Sequence, residues 1–199
     1  MRHKTRLFII VFLILFFSSS YVQAEDRGNT GPIEQMEISI SAQSLPKETL
    51  VEAIDYTLPY PGMLPDSPFY VLKVIRDKII SLLISDPLKK AEFDLLQADK
   101  RLQAGVFLTD KDKSKTSLVI STISKGQNYF EEAIYKIQEA KKQGKDTSSI
   151  LDKLITASRK HKEVLQGLEK NAGKEVRESI MVMEKRMEEF EKIAMKIKQ

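Results

Sequence analysis

Few side chains in this sequence are suited to catalysis. The chain of 199 residues contains no cysteine, which excludes a thiol nucleophile, and its two histidines are His3 and His161. A Ser–His arrangement would have to use His161, because His3 lies in an N-terminal segment that we expect to be removed. His161 falls on an apolar stripe at helical spacing. This position favours a structural imidazole, hydrogen-bonded to a neighbouring helix, over a general base.

Metal ligands are sparse around His161. A metal site on a helix needs a carboxylate or a second histidine three or four residues away. Those positions hold Ala157, Ser158, Val164 and Leu165. We therefore expect no local metal site at His161, and the sequence predicts no bound cofactor.

Methionines near the C-terminus suggest a different kind of metal site. Met181, Met183, Met187 and Met195 carry thioethers that can ligate a soft metal such as copper(I). Met183 and Met187 lie on an apolar stripe, so core packing explains them better than metal binding does. Met181 and Met195 fall off that stripe, and we expect them to be more exposed.

Adjacent glutamates at 131–132 and 188–189 do not form an acid–base pair. Neighbouring residues of a helix point in different directions, and both pairs are followed by a lysine at the favourable i, i+4 spacing. A solvated face with salt bridges accounts for them. No glycine-rich phosphate loop is present. The sequence therefore predicts a protein that is not an enzyme, and it contains no catalytic residue that we would name.

The charge balance argues against a nucleic-acid partner. The whole chain has a net charge of +4, but residues 1–24 contain Arg2, Lys4 and Arg6 and no acid. The remainder carries 29 basic and 28 acidic residues, a net charge of +1. Both signs are interleaved along this part of the chain. We therefore expect no binding to a polyanion such as DNA or RNA.

The first 24 residues have the pattern of an export signal. A basic segment at 2–6 precedes an unbroken apolar run at 7–17, and the small-residue site at 22–24 predicts cleavage after Ala24. We therefore expect a secreted or cell-envelope protein. The alternative is an uncleaved anchor, in which residues 18–22 extend a weak span; only then would the chain be tethered to a membrane. The absence of cysteine excludes lipoprotein processing and disulfides.

Residues 25–58 form a polar leader that contains glycine and proline. Apolar residues at 36, 38, 40 and 42 alternate with polar ones, which is the period of a half-buried strand. A single strand has no partner within this segment. It can be a flexible stalk, lie along the rest of the domain, or add to the sheet edge of a partner.

Prolines concentrate in residues 60–73, which we call the hinge. We expect Pro65 and Pro68 to set the angle at which the chain enters the first helix. Asp66 or Ser67 can cap that helix, and Pro68 can occupy its first turn, where a missing N–H costs nothing. The hinge thus predicts a change from extended chain to helix.

Aromatic residues give the hinge a second possible role. Phe69 and Tyr70 can close the end of a helical bundle, or, together with Tyr60, they can form a contact surface for a partner. The candidate site residues are Tyr60, Pro65, Asp66, Ser67, Pro68, Phe69, Tyr70 and Lys73.

Helical periodicity dominates the chain after the hinge. The first predicted helix spans about 67–84, with Leu72, Ile75, Ile79 and Leu82 on its core face and Lys73, Arg76 and Asp77 facing outward. Asp86 and Pro87 end it and start a second helix, which we expect to stop at Gly105. A connection at 106–113, a helix at 114–143 and a stop at Gly144 follow. Asp146, Thr147 or Ser148 can cap the next helix, which ends near 171–173.

The last predicted helix has a strict alternation of four and three residues. Its stripe predicts bundle or coiled-coil packing and consists of Val176, Ile180, Met183, Met187, Phe190, Ala194 and Ile197. The predicted fold is an all-α bundle of about five helices, two shorter and three longer, behind an extended leader that contains proline. The predicted organisation is a signal peptide at 1–24, a leader at 25–58 and one helical domain at 59–199.

Several blocks of the sequence resemble the domain-of-unknown-function family 5667. They are GMLPDSPFYVLK at 62–73, RDK at 76–78, DPLKKAE at 86–92, ADKRL at 98–102 and HKEVL at 161–165. The resemblance extends over about residues 60–180. It implies a helical domain of an exported or membrane-tethered bacterial or archaeal protein, and it implies no reaction.

The sequence therefore favours a binding role over catalysis. We expect a non-enzymatic extracytoplasmic helical protein that acts as an envelope interaction or scaffold module with a protein partner. The alternative is a membrane-surface or chaperone-like protein that acts through the amphipathic, methionine-containing C-terminal helix.

Overall fold

The computed structural model describes residues 54–112, 114–170 and 172–199, apart from the side chain at 175. Within these ranges the chain forms five helices and no strand, so the all-α prediction is confirmed. The described residues all belong to one compact unit. The predicted signal, most of the predicted leader and the possible strand at 36–42 lie outside the described residues. The helices are α1 (Tyr70–Leu83), α2 (Pro87–Lys111), α3 (Thr116–Lys142), α4 (Ser148–Lys170) and α5 (Lys174–Lys198).

The core lies between the four long helices α2 to α5. Helix α2 packs on α3 and α4 packs on α5, while α3 also contacts α5 and α2 contacts α4. Phe130 of α3 is fully buried at the centre, where its ring stacks on Phe190 with centroids 5.5 Å apart. In α5 the predicted stripe is buried from Ile180 to Ala194. Its repeat of four and three residues keeps one face toward the other helices, and bundle packing is confirmed.

Two helix boundaries follow from local chemistry as predicted. Asp86 caps α2, because its Oδ1 accepts hydrogen bonds from the backbone N–H groups of Leu88 at 2.9 Å and Lys89 at 3.1 Å. Pro87 occupies the first turn, where a missing N–H leaves no bond unmade. Gly144 follows the end of α3 with φ of +74°, a left-handed conformation that glycine adopts without strain.

The predicted end of α2 at Gly105 is wrong, because the helix continues to Lys111. Gly105 is buried, and a Cβ atom at this position would lie 2.5 Å from Cγ1 of Ile123. Glycine is thus needed for close approach of α3 and does not mark a helix end. The segment predicted as a connection at 106–113 is mostly helical. As a result the bundle has one short helix of 14 residues and four long ones of 23 to 27, instead of two short and three long.

Gly126 has the same function on α3. Its missing side chain leaves room for α2, since a Cβ atom would lie 2.9 Å from Cβ of Arg101 and 3.2 Å from the carbonyl oxygen of Ala98. Glycine weakens the helix at this position, but any larger residue would push the two helices apart.

Candidate functional site

Helix α1 differs from the other helices because its apolar face points to solvent. None of its 14 residues is buried. Leu72 is 63% exposed and Leu82 is 84% exposed, although both were predicted to face the core. The outward stripe of α1 consists of Val71, Leu72, Ile75, Ile79, Leu82 and Leu83. These residues recur at the spacing of a single helix face, so they form one continuous apolar surface.

The polar face of α1 is turned toward the bundle instead. The ammonium group of Lys73 donates hydrogen bonds to the backbone carbonyls of Pro61, at 2.7 Å, and Met63, at 3.4 Å. Burial lowers the pKa of Lys73 below its ordinary value. Near the other end of α1, the ammonium group of Lys90 donates to the carbonyl of Ser81 at 3.0 Å and also contacts its hydroxyl. The orientation predicted for α1 is therefore reversed for its apolar face and for Lys73, whereas Arg76 is exposed as predicted.

Tyr70 also lies on the inner face of α1. Its ring is half-buried, and the guanidinium of Arg101 in α2 lies 5.6 Å from the ring centroid, which is a cation–π distance. Burial is the main reason that the pKa of the Tyr70 phenol is raised. The second cause is Arg101, whose positive charge lowers the pKa and opposes the effect of burial. Tyr70 thus helps to hold α1 in its reversed orientation.

The predicted capping of α1 by the hinge is wrong. The helix begins at Tyr70, and the preceding position is Phe69, where no described side chain supplies a capping hydrogen bond. The Oγ atom of Ser67 accepts a bond from the N–H of Phe69 at 3.4 Å within a turn before the helix. Pro68 is exposed in that same turn and does not occupy the first turn of α1. The prolines extend the non-helical segment by about one turn beyond the predicted start.

Asp66 is occupied by a different interaction. Its Oδ2 accepts hydrogen bonds from Lys111 at 2.8 Å and Lys115 at 3.0 Å, so the carboxylate joins the hinge to the last residue of α2 and to the residue before α3. The hydrogen bond from Lys111, followed by the one from Lys115, holds the pKa of Asp66 below its ordinary value. Because the partners are 45 and 49 residues away in sequence, local capping rules cannot identify this interaction.

The remaining hinge residues differ in burial. Tyr60 is exposed, with its ring packed edge-on against Phe107 of α2 at 5.8 Å between centroids. Phe69 is exposed as well, and Pro65 is half-buried. The hinge and α1 together thus present Tyr60, Phe69 and the outward stripe to solvent. Of the two aromatics that were expected to close the bundle, Tyr70 is half-buried and Phe69 is not.

A polar network lies inside the bundle. Asp99 of α2 accepts a hydrogen bond from the hydroxyl of Tyr56 at 2.6 Å, and its other carboxylate oxygen lies 2.7 Å from Nε2 of His161 in α4. His161 is 2% exposed and Asp99 is 3% exposed. Phe130 packs edge-on against the imidazole at 5.3 Å. Burial and the Asp99 carboxylate both raise the pKa of the Tyr56 phenol, so its hydroxyl keeps its proton.

This network holds elements together, and its Asp99 and His161 side chains are almost completely buried. Asp99 and His161 lie on facing helices, and Tyr56 attaches the segment before the hinge to them. The nearby hydroxyl of Ser158 donates to the carbonyl of Ile155 at 2.7 Å, within its own helix. The prediction that His161 hydrogen-bonds to a neighbouring helix is confirmed. Its partners Asp99 and Tyr56 were not predicted, although Asp99 lies next to the apolar stripe that contains Leu95, Ala98 and Leu102.

The described residues contain no cluster of three or more acidic or histidine side chains that could hold a metal ion. Among the methionines, Met183 and Met187 are buried in the core, Met195 is half-buried and Met181 is exposed. None of the described helices is both long enough and apolar enough to cross a membrane.

Comparison with family models identifies the family that the sequence resembles. Residues 62–175 match the family model described as Domain of unknown function (DUF5667), and this is more than half of the chain. The chain belongs to the DUF5667 family. The DUF5667 match begins within the hinge, covers α1 to α4 and includes both Asp99 and His161. No match was found among curated proteins or among solved structures.

Proposed function

We propose that this DUF5667 protein is a non-enzymatic extracytoplasmic helical module that attaches to a component of the cell envelope through the hinge and the outward stripe of α1. The observation that carries the proposal is the reversed orientation of α1. Contiguous exposed apolar surface marks interaction sites, because water-exposed aliphatic side chains gain free energy when a partner covers them. Export rests on the basic segment, apolar run and small-residue site within residues 1–24.

The side chains of the described residues are better suited to binding a partner than to catalysis. The imidazole that the described residues offer is His161, which is enclosed among α2, α3 and α4 with Asp99 and Phe130 as neighbours. A substrate would have to open the bundle to reach it. In contrast, Tyr60, Phe69 and the outward stripe are accessible without any rearrangement. The four long helices thus act as a rigid support for a contact surface at one edge.

The contact surface lies on α1 and the hinge instead of on the C-terminal helix. The apolar stripe of α5 is covered by the bundle, with Ile180, Met187 and Ala194 almost completely buried. To cover lipid or an unfolded chain, α5 would have to leave the bundle and expose this core. Helix α1 can contact a partner without exposing any core residue, since its stripe is already exposed in the folded protein.

Site-specific photo-crosslinking in native envelopes tests the proposal. A photoreactive amino acid is placed at Leu72 in α1, or at Tyr60 in the hinge, and the matched control carries it at Tyr135, an exposed position on α3. We expect protein or lipid adducts from Leu72 and Tyr60 and far fewer from Tyr135. Equal yields at all three positions, or none at Leu72 and Tyr60, would refute α1 and the hinge as the contact surface.

A further inference from the structure

We propose that the outward stripe of α1 binds a membrane surface that contains anionic lipids, with the helix lying in the plane of the interface. This inference rests on the proposed function, because it names the envelope component that α1 contacts. The supporting observations are the length of α1, the direction of its apolar face, and the basic residues at the two edges of that face.

The dimensions of α1 suit a helix that lies on a membrane. A helix of 14 residues is about 21 Å long, which is shorter than the hydrocarbon core of a bilayer. The stripe runs from Val71 to Leu83 and so covers the full length of the helix. An amphipathic helix of this kind buries aliphatic side chains at the boundary between headgroups and acyl chains. No part of the bundle would have to unfold for α1 to do so.

Basic residues flank the stripe on both sides. At 3.6 residues per turn, Arg76 lies about 20° beyond Leu83 at one edge, and Lys78 lies about 20° beyond Val71 at the other. Both basic residues are exposed. From these positions their side chains can reach lipid phosphates while the stripe enters the apolar layer.

The acid of α1 offsets only part of its positive charge. Asp77 is the one acidic residue between 70 and 83, against the three bases Lys73, Arg76 and Lys78. It is half-buried on the inner face, and its Oδ1 accepts hydrogen bonds from Nε of Arg76 at 3.1 Å and from Nη2 at 2.7 Å. This ion pair offsets part of the Arg76 charge and leaves the charge of Lys78 at the other edge. The outer face therefore has a positive rim around an apolar centre, which is complementary to an anionic membrane surface.

The same charges disfavour a second copy of the chain as the occupant. Arg76 lies at the middle of α1, so an antiparallel pair of α1 helices would bring the two Arg76 side chains close together. Lys78 would add to this repulsion. Like charges that face each other across an interface reduce its stability, whereas anionic headgroups satisfy both residues.

A single tryptophan can report on this interaction, because the natural chain has none. The full chain with Leu72→Trp is titrated with vesicles of phosphatidylcholine alone and with vesicles that also contain phosphatidylglycerol. We expect a blue shift of emission that appears at much lower lipid concentration with phosphatidylglycerol. The matched control Tyr135→Trp on α3 should show no shift. This position-specific signal separates α1 from the apolar run at 7–17, which can bind vesicles by itself.

Charge variants then test the basic rim. In the Leu72→Trp background, Arg76→Gln and Lys78→Gln should each weaken vesicle binding by about fivefold. Lys153→Gln, at an exposed position of α4, should leave it unchanged. Ile79→Glu should abolish the shift while the circular dichroism spectrum stays helical. If Leu72→Trp does not fold, Ile79→Trp provides the same measurement at another position of the stripe.

Several outcomes would overturn the inference. Equal binding to both kinds of vesicle, or no shift with either, would exclude an anionic lipid surface. An emission that is already blue-shifted without vesicles, and that lipid does not change, would show that α1 is covered by another part of the chain or by a second copy. If the shift is absent but protein adducts from Leu72 persist in envelopes, the lipid assignment fails and the proposed function stands. Absence of both signals refutes both.

Discussion

Replacing Gly126 by alanine should destabilise the protein, even though alanine is the better helix former. The added Cβ would lie 2.9 Å from Cβ of Arg101 and 3.2 Å from the carbonyl oxygen of Ala98. The carbonyl belongs to the backbone of α2, so it can move only if the helix moves. Overpacking of this kind costs about 1–3 kcal/mol, while the propensity gain is about 1 kcal/mol. We expect a net loss of up to about 2 kcal/mol in the free energy of unfolding.

Gly167 provides the matched control. It lies inside α4, and a Cβ there would meet none of the described atoms within 4 Å. Gly167→Ala should therefore stabilise the protein by about 0.5–1 kcal/mol through helix propensity alone. The same substitution thus has opposite signs at two helical positions, and only the distance to a neighbouring helix distinguishes them.

Urea denaturation followed by circular dichroism measures both effects. The variants should share the slope of the natural protein and differ in midpoint, because neither substitution changes the surface exposed on unfolding by much. Displacement of Arg101 in Gly126→Ala should also disturb its cation–π contact with Tyr70. If Gly126→Ala is as stable as Gly167→Ala, the close contact between α2 and α3 is not rigid and our account of Gly126 is wrong.

Three further predictions concern charged and polar groups. Burial raises the pKa of Asp94 to about 6, so the folded state binds a proton more tightly than the unfolded state and loses stability as pH rises from about 4 to 6. Asp94→Asn should therefore be more stable than the natural protein by about 1–3 kcal/mol at pH 8, and equally stable below pH 4. The control is Asp110→Asn, at an exposed site of the same helix α2. A stability difference that does not change with pH, or the same gain in Asp110→Asn, would contradict this prediction. Tyr56→Phe keeps the ring but removes a 2.6 Å hydrogen bond to a buried carboxylate, and thermal or urea unfolding should show a loss of about 1.5–3 kcal/mol; an unchanged midpoint would mean that Asp99 does not depend on this bond. Asp66→Asn should lower the free energy of unfolding by about 0.5–1 kcal/mol at low salt and by less at high salt, because salt screens the attraction between Asp66 and its two partly exposed lysine partners. A loss of stability that does not depend on salt would argue against an ion pair.

The candidate site was only partly predictable from the sequence. The hinge residues were identified by their prolines and aromatics, and six of the eight lie in the segment that the structure places before α1. The same periodicity that located α1 assigned its apolar face to the core, because a stripe of aliphatic residues normally faces inward. The two basic residues at the edges of that stripe, Arg76 and Lys78, were the available signal for an outward face. Nothing in the local pattern, however, shows that the bundle is complete without α1.

The sequence by itself determined the elements whose causes are local. Helical class follows from apolar spacing, the break at Asp86 and Pro87 from capping and proline geometry, and the stop at Gly144 from its left-handed conformation. The stripe of α5 was equally predictable, since a repeat of four and three residues places its apolar side chains on one face of the helix, which packs against the bundle. These features depend on residues within about two helical turns of one another, so a linear pattern contains the required information.

Only the tertiary structure decided the features that depend on a distant partner. The local sequence around Gly105 predicts a helix end. In the folded protein the helix continues through Gly105, and Ile123 occupies the space that a side chain there would need. The local sequence does not distinguish Asp99 from other helix residues. Only the fold brings Tyr56 and His161 to its two carboxylate oxygens. The orientation of α1 is also decided in three dimensions. Four long helices already enclose the core, and α2 contacts the polar face of α1 through the hydrogen bonds from Lys90 to Ser81 and through Arg101 over the Tyr70 ring. Its apolar face is then left outward, because both faces of one helix cannot pack on the same bundle.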